Sequence, residues 1–506
     1  MWRLASLPPE DSVGSIVYLT NKKNGKVYVY LNEKVRSRTD DRYVYRRRCI
    51  GHINPETGEV VENRAKAVRE DPVVVSVGID MFLSKLSEDA GLTSALRIAF
   101  PRDWNLLLTC AMYILSENAP LSFIEDWSDH NRTPFGRKVT QHDLEQLLSS
   151  IDPDAQEAFM RIWRKRNGDD PVVLFANYPG YSEEDSSGSI VSSPGINSVP
   201  SELAMCFGRD SFMPISYVWN SVPSRTSKSV TETVESMYWL GTRPVLILDR
   251  TYPSDIPGGM EGEGYGYMLS LPNDRPRARE AIAKAKDTIV DSSNLITFPD
   301  GGHGFAITME GGPDGTRSIV YYNEEDAERD MGMFFTQVNV CYNELKQRLF
   351  VPTHVPFYTR FFRTQGRGYT TEVNSDKVME YASSAGYLVM VTDRRVPTEK
   401  AVLWNRIMAD CASFFAKVRN SVDSPRLKLF SEHNYSSRLF IQFIAYILDS
   451  AVRANLASGS LRKEFTVQSA LRDMAGMMQV SGMGYKNPRI TASNYRQEIL
   501  MKNAGL

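Results

Sequence analysis

The chain lacks the features that mark several common protein classes. It has no apolar stretch of about 18 residues or more, so no membrane span is expected. Its most apolar helix candidate, LFIQFIAYIL at Leu439–Leu448, stops at Asp449, a length suited to a buried core helix. Cysteine is scarce and scattered: Cys49, Cys110, Cys206, Cys341 and Cys411 show no CxxC or zinc-ligand spacing. That pattern argues for free buried thiols in a reducing cytoplasm and against a structural zinc. Charge of one sign is missing too, with 59 Lys and Arg against 61 Asp and Glu, which excludes a uniformly basic nucleic-acid coat but leaves room for a local patch. The opening MWRLASLPPEDSV has no basic region followed by an apolar one, so a secretory signal is not expected.

What is present fits a large α/β protein. Hydrophobic content of 42% and charged content of 24% are ordinary for a globular chain, and 506 residues imply three or four domains. The first 60 or so residues alternate like strands, and Asn24-Gly25 between two alternating runs predicts a hairpin. Next comes a basic stretch, KVRSRTDDRYVYRRRCIG, in which Arg36, Arg38, Arg46, Arg47 and Arg48 interleave with Tyr43 and Tyr45. Arginines among aromatics can bind phosphate and stack on bases, but a solvated basic strand edge would read the same way. From Lys66 to Lys165 the period turns helical, and Thr140 is placed to cap the helix TQHDLEQLLSSI. Val245–Leu248, apolar at every position and closed by Asp249, reads as a central strand of a covered sheet. A helical stretch precedes it, giving α/β order.

Other local signals are weaker. EGEGYGY at Glu261–Tyr267 lacks the spacing and the following helix of a phosphate loop and reads as a flexible hairpin. His303 in DGGHGF has no nearby nucleophile or ligand set and reads as a turn residue, while Trp239 and Trp404 are expected in the core.

Several collinear segments resemble the IS4 superfamily of bacterial DDE transposases, in particular its IS1634-like branch. They are KVYVY with RRRCIGHINPETGEVV, the helical LSEDAGLTSALRIAFPRDWNLLLTCAMYILSENAPLSFIEDW, VLILDRTYPSDI, LKLFSEHNYSSRLFIQFIAYIL and YRQEIL. The resemblance implies a ribonuclease-H-like core with an inserted α+β domain, preceded by a small β-rich region and a helical domain. The corresponding boundaries are 1–65 (β-rich, basic), 66–165 (helical, DNA-binding), 166–275 (first part of the core), 276–395 (insertion), 396–456 (second part of the core) and 457–506 (C-terminal helical tail). It also implies a cytoplasmic protein acting as a homo-oligomer on DNA, with the element's terminal inverted repeats and target DNA as partners. The five arginines above are the DNA anchors it suggests.

In that family two aspartates and a glutamate hold two Mg2+ or Mn2+ ions roughly 4 Å apart for in-line phosphoryl transfer. Asp249 matches the second aspartate. The first belongs at the exit of the strand VVLFANYPGYSEED, which reads Ala176-Asn177, and no acid occurs from Pro171 to Ser182. The glutamate belongs on the helix LWNRIMADCASFFAKVRNSV, where Asn405, Met408 and Ala412 stand for the family's tyrosine, arginine and glutamate. Asp410 lies two positions away, roughly 200° round the helix. The resemblance therefore implies a transposase-type protein whose nuclease site is degenerate. Two alternatives remain at this stage: an active enzyme with relocated acids (Glu183, Asp185 or Asp410 joining Asp249), and a non-catalytic DNA-binding regulator or assembly partner.

Overall fold

The computed structural model describes residues 14–22, 24–36, 43–62, 73–167, 170–179, 200–220, 222–224, 226–237, 243–253, 256, 259, 262–298, 301–312, 315–365, 370–393, 396–422, 432–459, 461–482 and 487–506. The chain divides into two compact units, one of residues 1–74 with 479–491 and one of residues 75–478 with 492–506.

The first unit is built on a four-stranded antiparallel meander, β1 (Gly14–Thr20), β2 (Val27–Arg36), β3 (Tyr43–Ile53) and β4 (Val60–Glu62), in that spatial order. The β1–β2 turn is the hairpin expected at Asn24-Gly25. Gly25 takes φ +69°, a left-handed conformation that a side chain disfavours.

The strand β5 (Val73–Ser76) runs across the division at Val74, and six helices follow in the second unit: α1 (Gly78–Ala90), α2 (Leu92–Ala99), α3 (Trp104–Glu117), α4 (Ile124–His130), α5 (Gln141–Ser150) and α6 (Pro153–Asn167). Thr140 does cap α5, in a reciprocal box: its hydroxyl accepts from the Asp143 N–H, and the Asp143 carboxylate accepts from the Thr140 N–H at 2.9 Å. A nine-stranded mixed sheet follows. Its first strands are β6 (Pro171–Pro179), β7 (Pro200–Gly208) and β8 (Pro214–Asn220), then, after α7 (Ser227–Ser236), β9 (Val245–Leu248) and β10 (Gly266–Leu271). Beyond α8 (Pro276–Ala285) come β11 (Leu295–Thr297), β12 (His303–Met309) and β13 (Arg317–Tyr322). The chain then leaves the sheet through α9 (Glu324–Gln347), α10 (Val355–Phe361), β14 (Phe362–Gln365), β15 (Thr370–Val373) and α11 (Ser375–Ala382), returning as β16 (Tyr387–Thr392). Four helices close the unit: α12 (Thr398–Val422), α13 (Glu432–Ser458), α14 (Val467–Ala475) and α15 (Tyr495–Ala504).

The sheet order is β11-β12-β13-β16-β10-β9-β6-β7-β8. β7 and β8 continue antiparallel from β6 on one side, whereas β9 and β10 lie parallel to it on the other. Alternation divides the strand side chains between two cores. Val172, Leu174, Leu203, Met205 and Ile247 pack under the helices α1–α6, α12 and α13. Val173, Phe175, Ala204, Leu246 and Leu248 pack with α7 and α8 on the opposite face. Covering on both faces is why β9 is apolar at all four positions.

Leu439–Leu448 is the buried core helix anticipated, at the centre of α13. The Phe440 ring sits 5.2 Å from Phe100 and 5.4 Å from Phe159, tying α2–α3 and α6 to α13.

Three of the expected segments share strands or cores with their neighbours. Residues 66–165 do not stand apart: every side chain from Leu106 to Leu115 except that of Thr109 belongs to the same core as α13 and one face of the sheet. The expected insertion, 276–395, contains β11, β12, β13 and β16, which hydrogen-bond into the main sheet. Only 324–382 has a core of its own, made of Phe334, Cys341, Tyr358, Phe361 and Phe362. The C-terminal tail is divided as well, since 479–491 groups with 1–74. The flexible hairpin read into EGEGYGY does not match either: Gly266 begins β10, a buried strand that lies parallel to β9, the strand before it in the chain, and a parallel pair is not joined by a hairpin.

Candidate functional site

The site is assembled where β9 and β10 end beside β6, which runs on past Ala176 to Pro179 in pairing with β7, so Ala176 and Asn177 lie within the strand and not at the exit expected from the sequence. β6 and β9 are in parallel register from Val172↔Val245 to Phe175↔Leu248, so Ala176 and Asp249, the next residues of each, arrive at one level. Neighbouring strands lie about 4.8 Å apart. On the other side of β9, Leu269 pairs with Leu248, bringing Ser270 to the same level. The chain continues from β6 to one side and from β9 to the other. This is a topological switch point, where open α/β sheets form crevices at the carboxyl ends of their strands.

α12 crosses this region. The Ser270 hydroxyl donates to the Asn405 side-chain carbonyl at 2.9 Å. Further along α12, Met408 is buried, Ala412 is half-buried and Cys411 is buried, its thiol pushed up to about 12 by desolvation. Asp410 faces elsewhere: its carboxylate accepts from Arg453 at 3.2 Å, and Arg453 also holds Asp449 at 2.5 Å. The sequence-expected positions on β6, β9 and α12 thus belong to converging elements, with one carboxylate, Asp249, among those of them that are described. Glu183 and Asp185 lie outside the described residues, as do the side chains of Ala176 and Asn177.

Asp249 is half-buried and locally engaged. Its Oδ1 accepts from the Thr251 N–H at 2.8 Å and from the Thr251 hydroxyl, and its carbonyl accepts from the Tyr252 N–H at 3.3 Å. This is a side-chain-closed turn at a strand exit.

Sequence reading missed Glu202. It lies on β7 opposite Asn177, fully buried, with donors from three segments. Oε1 accepts from Asn220 Nδ2 and from the Ser224 hydroxyl, both at 2.9 Å. Oε2 accepts from the Ser224 N–H at 3.0 Å and from the Tyr252 hydroxyl. All four acceptor positions of the carboxylate are filled, so it has none left for a metal. Through Tyr252 it fixes the turn that carries Asp249. The one local hint was an acid in an otherwise apolar strand, ELAMCFG.

A two-metal site takes its charge balance from several carboxylates around the ions. Among the described residues the donor set here is one half-buried aspartate, Asp249, and the buried Glu202 is saturated by other donors. The described residues alone do not fit a pair of Mg2+ or Mn2+ ions.

Among the proposed DNA anchors, Arg47 and Arg48 are exposed on β3, and Arg47 Nε donates to Asn32 at 3.0 Å. As consecutive strand residues they point to opposite faces of the meander. The side chains of Arg36 and Arg46 are outside the description, as is Arg38 entirely. His303 is exposed at the start of β12, just past the Phe298–Gly302 turn; Trp404 is buried; Trp239 lies outside the described residues.

No family model matches the chain, and no curated protein matches it. Among solved structures it is similar to the piggyBac transposase in a synaptic complex with hairpin DNA. The identity is 9% and the TM-score 0.31, over 78% of this chain and 77% of that one.

Proposed function

We propose that this chain is a DNA-binding protein of transposase type, of IS4/IS1634 descent, with a ribonuclease-H-like core whose metal site has lost its acids. The observation that carries this reading is the register at the switch point, with Ala176 at the level of Asp249 and Asn405, Met408 and Ala412 on the crossing helix. Around it, a three-stranded antiparallel run is followed by a helix and two strands parallel to the first, the arrangement that a ribonuclease-H-like core denotes. DNA carrying the element's terminal repeats is the expected partner, bound as a homo-oligomer. Binding of this kind rests on phosphate contacts and needs no divalent ion.

The test is strand cleavage and binding on DNA bearing the gene's own flanks, with Mn2+ or with EDTA, comparing the native chain with Asp249→Ala. Equal binding in EDTA and Mn2+ with no cleavage by either protein is the expected result. Cleavage by the native chain that disappears in Asp249→Ala would overturn the loss of activity and make the chain an enzyme with relocated acids. Absence of binding to those flanks would remove the DNA-binding reading itself.

A further inference from the structure

The segment 324–382 holds a second cluster of ligating side chains, unrelated to the strand ends of the main sheet. Cys341 and Glu344 sit three residues apart on α9, hence on one side of that helix. His354 comes from the short helical turn Pro352–His354 that leads into α10. One ligand atom from each, Cys341 Sγ, a Glu344 carboxylate oxygen and a His354 ring nitrogen, lies within 4.8 Å of the other two. Cys341 is buried, while Glu344 and His354 are half-buried, which leaves one side of the cluster facing solvent. Glu344 Oε2 holds His354 Nδ1 at 2.8 Å and also accepts from the Tyr358 hydroxyl; Gln337 Nε2 donates to Cys341 Sγ at 3.2 Å.

We infer that Cys341, Glu344 and His354 form a zinc site that staples α9 to the turn preceding α10, with water at the fourth position. The donor set selects the ion: thiolate and imidazole favour Zn2+ over Mg2+ or Ca2+, and a carboxylate completes a common zinc set. With bonds of about 2.0–2.3 Å, tetrahedral ligands stand roughly 3.3–3.7 Å apart, so the Glu344–His354 pair at 2.8 Å has to open slightly, while a pair at the 4.8 Å limit has to close by about 1 Å. Side-chain rotation supplies that, with the ion replacing the His354–Glu344 hydrogen bond. As the Zn–S bond forms, the Cys341 thiol proton leaves to solvent, and as the Zn–N bond forms at Nδ1 the imidazole's proton moves to Nε2 by exchange with water.

The surroundings supply an independent reason for a staple. The separate core of 324–382 buries Phe334, Phe361 and Phe362 together with Cys341 and Tyr358, whereas Met333, Phe335, Leu349, Phe350 and Met379 are each more than half exposed. Apolar burial this thin is the condition under which small folding units add a metal or a disulfide. Cysteine spacing along the sequence shows none of this, because the ligands are a helical i,i+3 pair and a histidine from the next turn.

The test uses the full chain, stripped with EDTA and titrated with Co2+, then with Zn2+. One equivalent of Co2+ should produce a sulfur-to-cobalt charge-transfer band that Zn2+ abolishes, and Zn2+ should raise the thermal midpoint. In Cys341→Ser the charge-transfer band should vanish. In His354→Gln, a change at the half-exposed edge of the cluster, affinity should fall by at least the roughly 10–100-fold that loss of an outer-shell partner costs. No thiolate band on the native chain, or a band of equal strength and affinity in His354→Gln, would overturn the site and leave a hydrogen-bonded cluster only. His354→Gln decides the matter should Cys341→Ser fail to fold. The outcome is independent of DNA binding and of Asp249.

Discussion

The nine-stranded sheet and the segment 324–382 that interrupts it are held together in different ways. The sheet is covered on both faces and bordered by two large apolar cores, one of them extending through α13 into the N-terminal helices. Among the described residues, the interrupting segment between β13 and β16 buries Phe334, Phe361 and Phe362 together with Cys341 and Tyr358, and the last two also join Glu344 and His354 in a polar cluster. Apolar burial across many long-range contacts stabilises the sheet. The small unit has no such reserve, and there single polar residues matter more.

The largest expected effect sharpens this contrast. Phe440→Ala empties a site bordered by Phe100 and Phe159 and should cost about 3–5 kcal/mol. Hydrogen exchange should rise together in α2, α6, α13 and the sheet. Phe334→Ala, whose ring stacks on Tyr381 at 4.1 Å, should instead raise exchange within 324–382 and leave β6 and β9 protected. Joint loss of both regions in either variant would erase the distinction.

Next in size is Glu202→Ala, which leaves the donors of Asn220, Ser224 and Tyr252 without a buried acceptor. A loss of about 2–4 kcal/mol is expected in denaturant unfolding. A near-neutral result would mean that water replaces the carboxylate and that the sheet end is less dry than its burial indicates.

The smallest effect is a pH dependence in the helical region. The Arg137 guanidinium, followed by the Thr140 N–H and hydroxyl, holds the Asp143 carboxyl below the usual carboxylate range. A depressed folded value contributes stability above the unfolded carboxylate value of about 3.9, and this is lost as the pH falls through the folded one. Acid unfolding below about pH 4 should therefore be shallower in Asp143→Asn, and an unchanged acid limb would count against the pairing.

Much of this architecture was legible in the sequence because it depends on near neighbours. Asn24-Gly25 turned the first hairpin, Thr140 capped α5, and the continuous apolar runs of β6 and β9 marked buried strands. The absence of acid between Pro171 and Ser182 was likewise plain to read. Segment membership was not, because the apolar period of β11, β12, β13 and β16 says that they pack but not against which strand.

The sequence by itself determined the local elements, their caps and turns, and which acids stand at the positions in question, since helix and strand periods are set over a few residues. Only the tertiary structure decided that Ala176 comes level with Asp249, that Glu202 gathers donors from Asn220, Ser224 and Tyr252, and that Cys341, Glu344 and His354 converge. Each of those depends on strand register, burial or the return of a turn, and these are fixed by packing between segments distant along the chain.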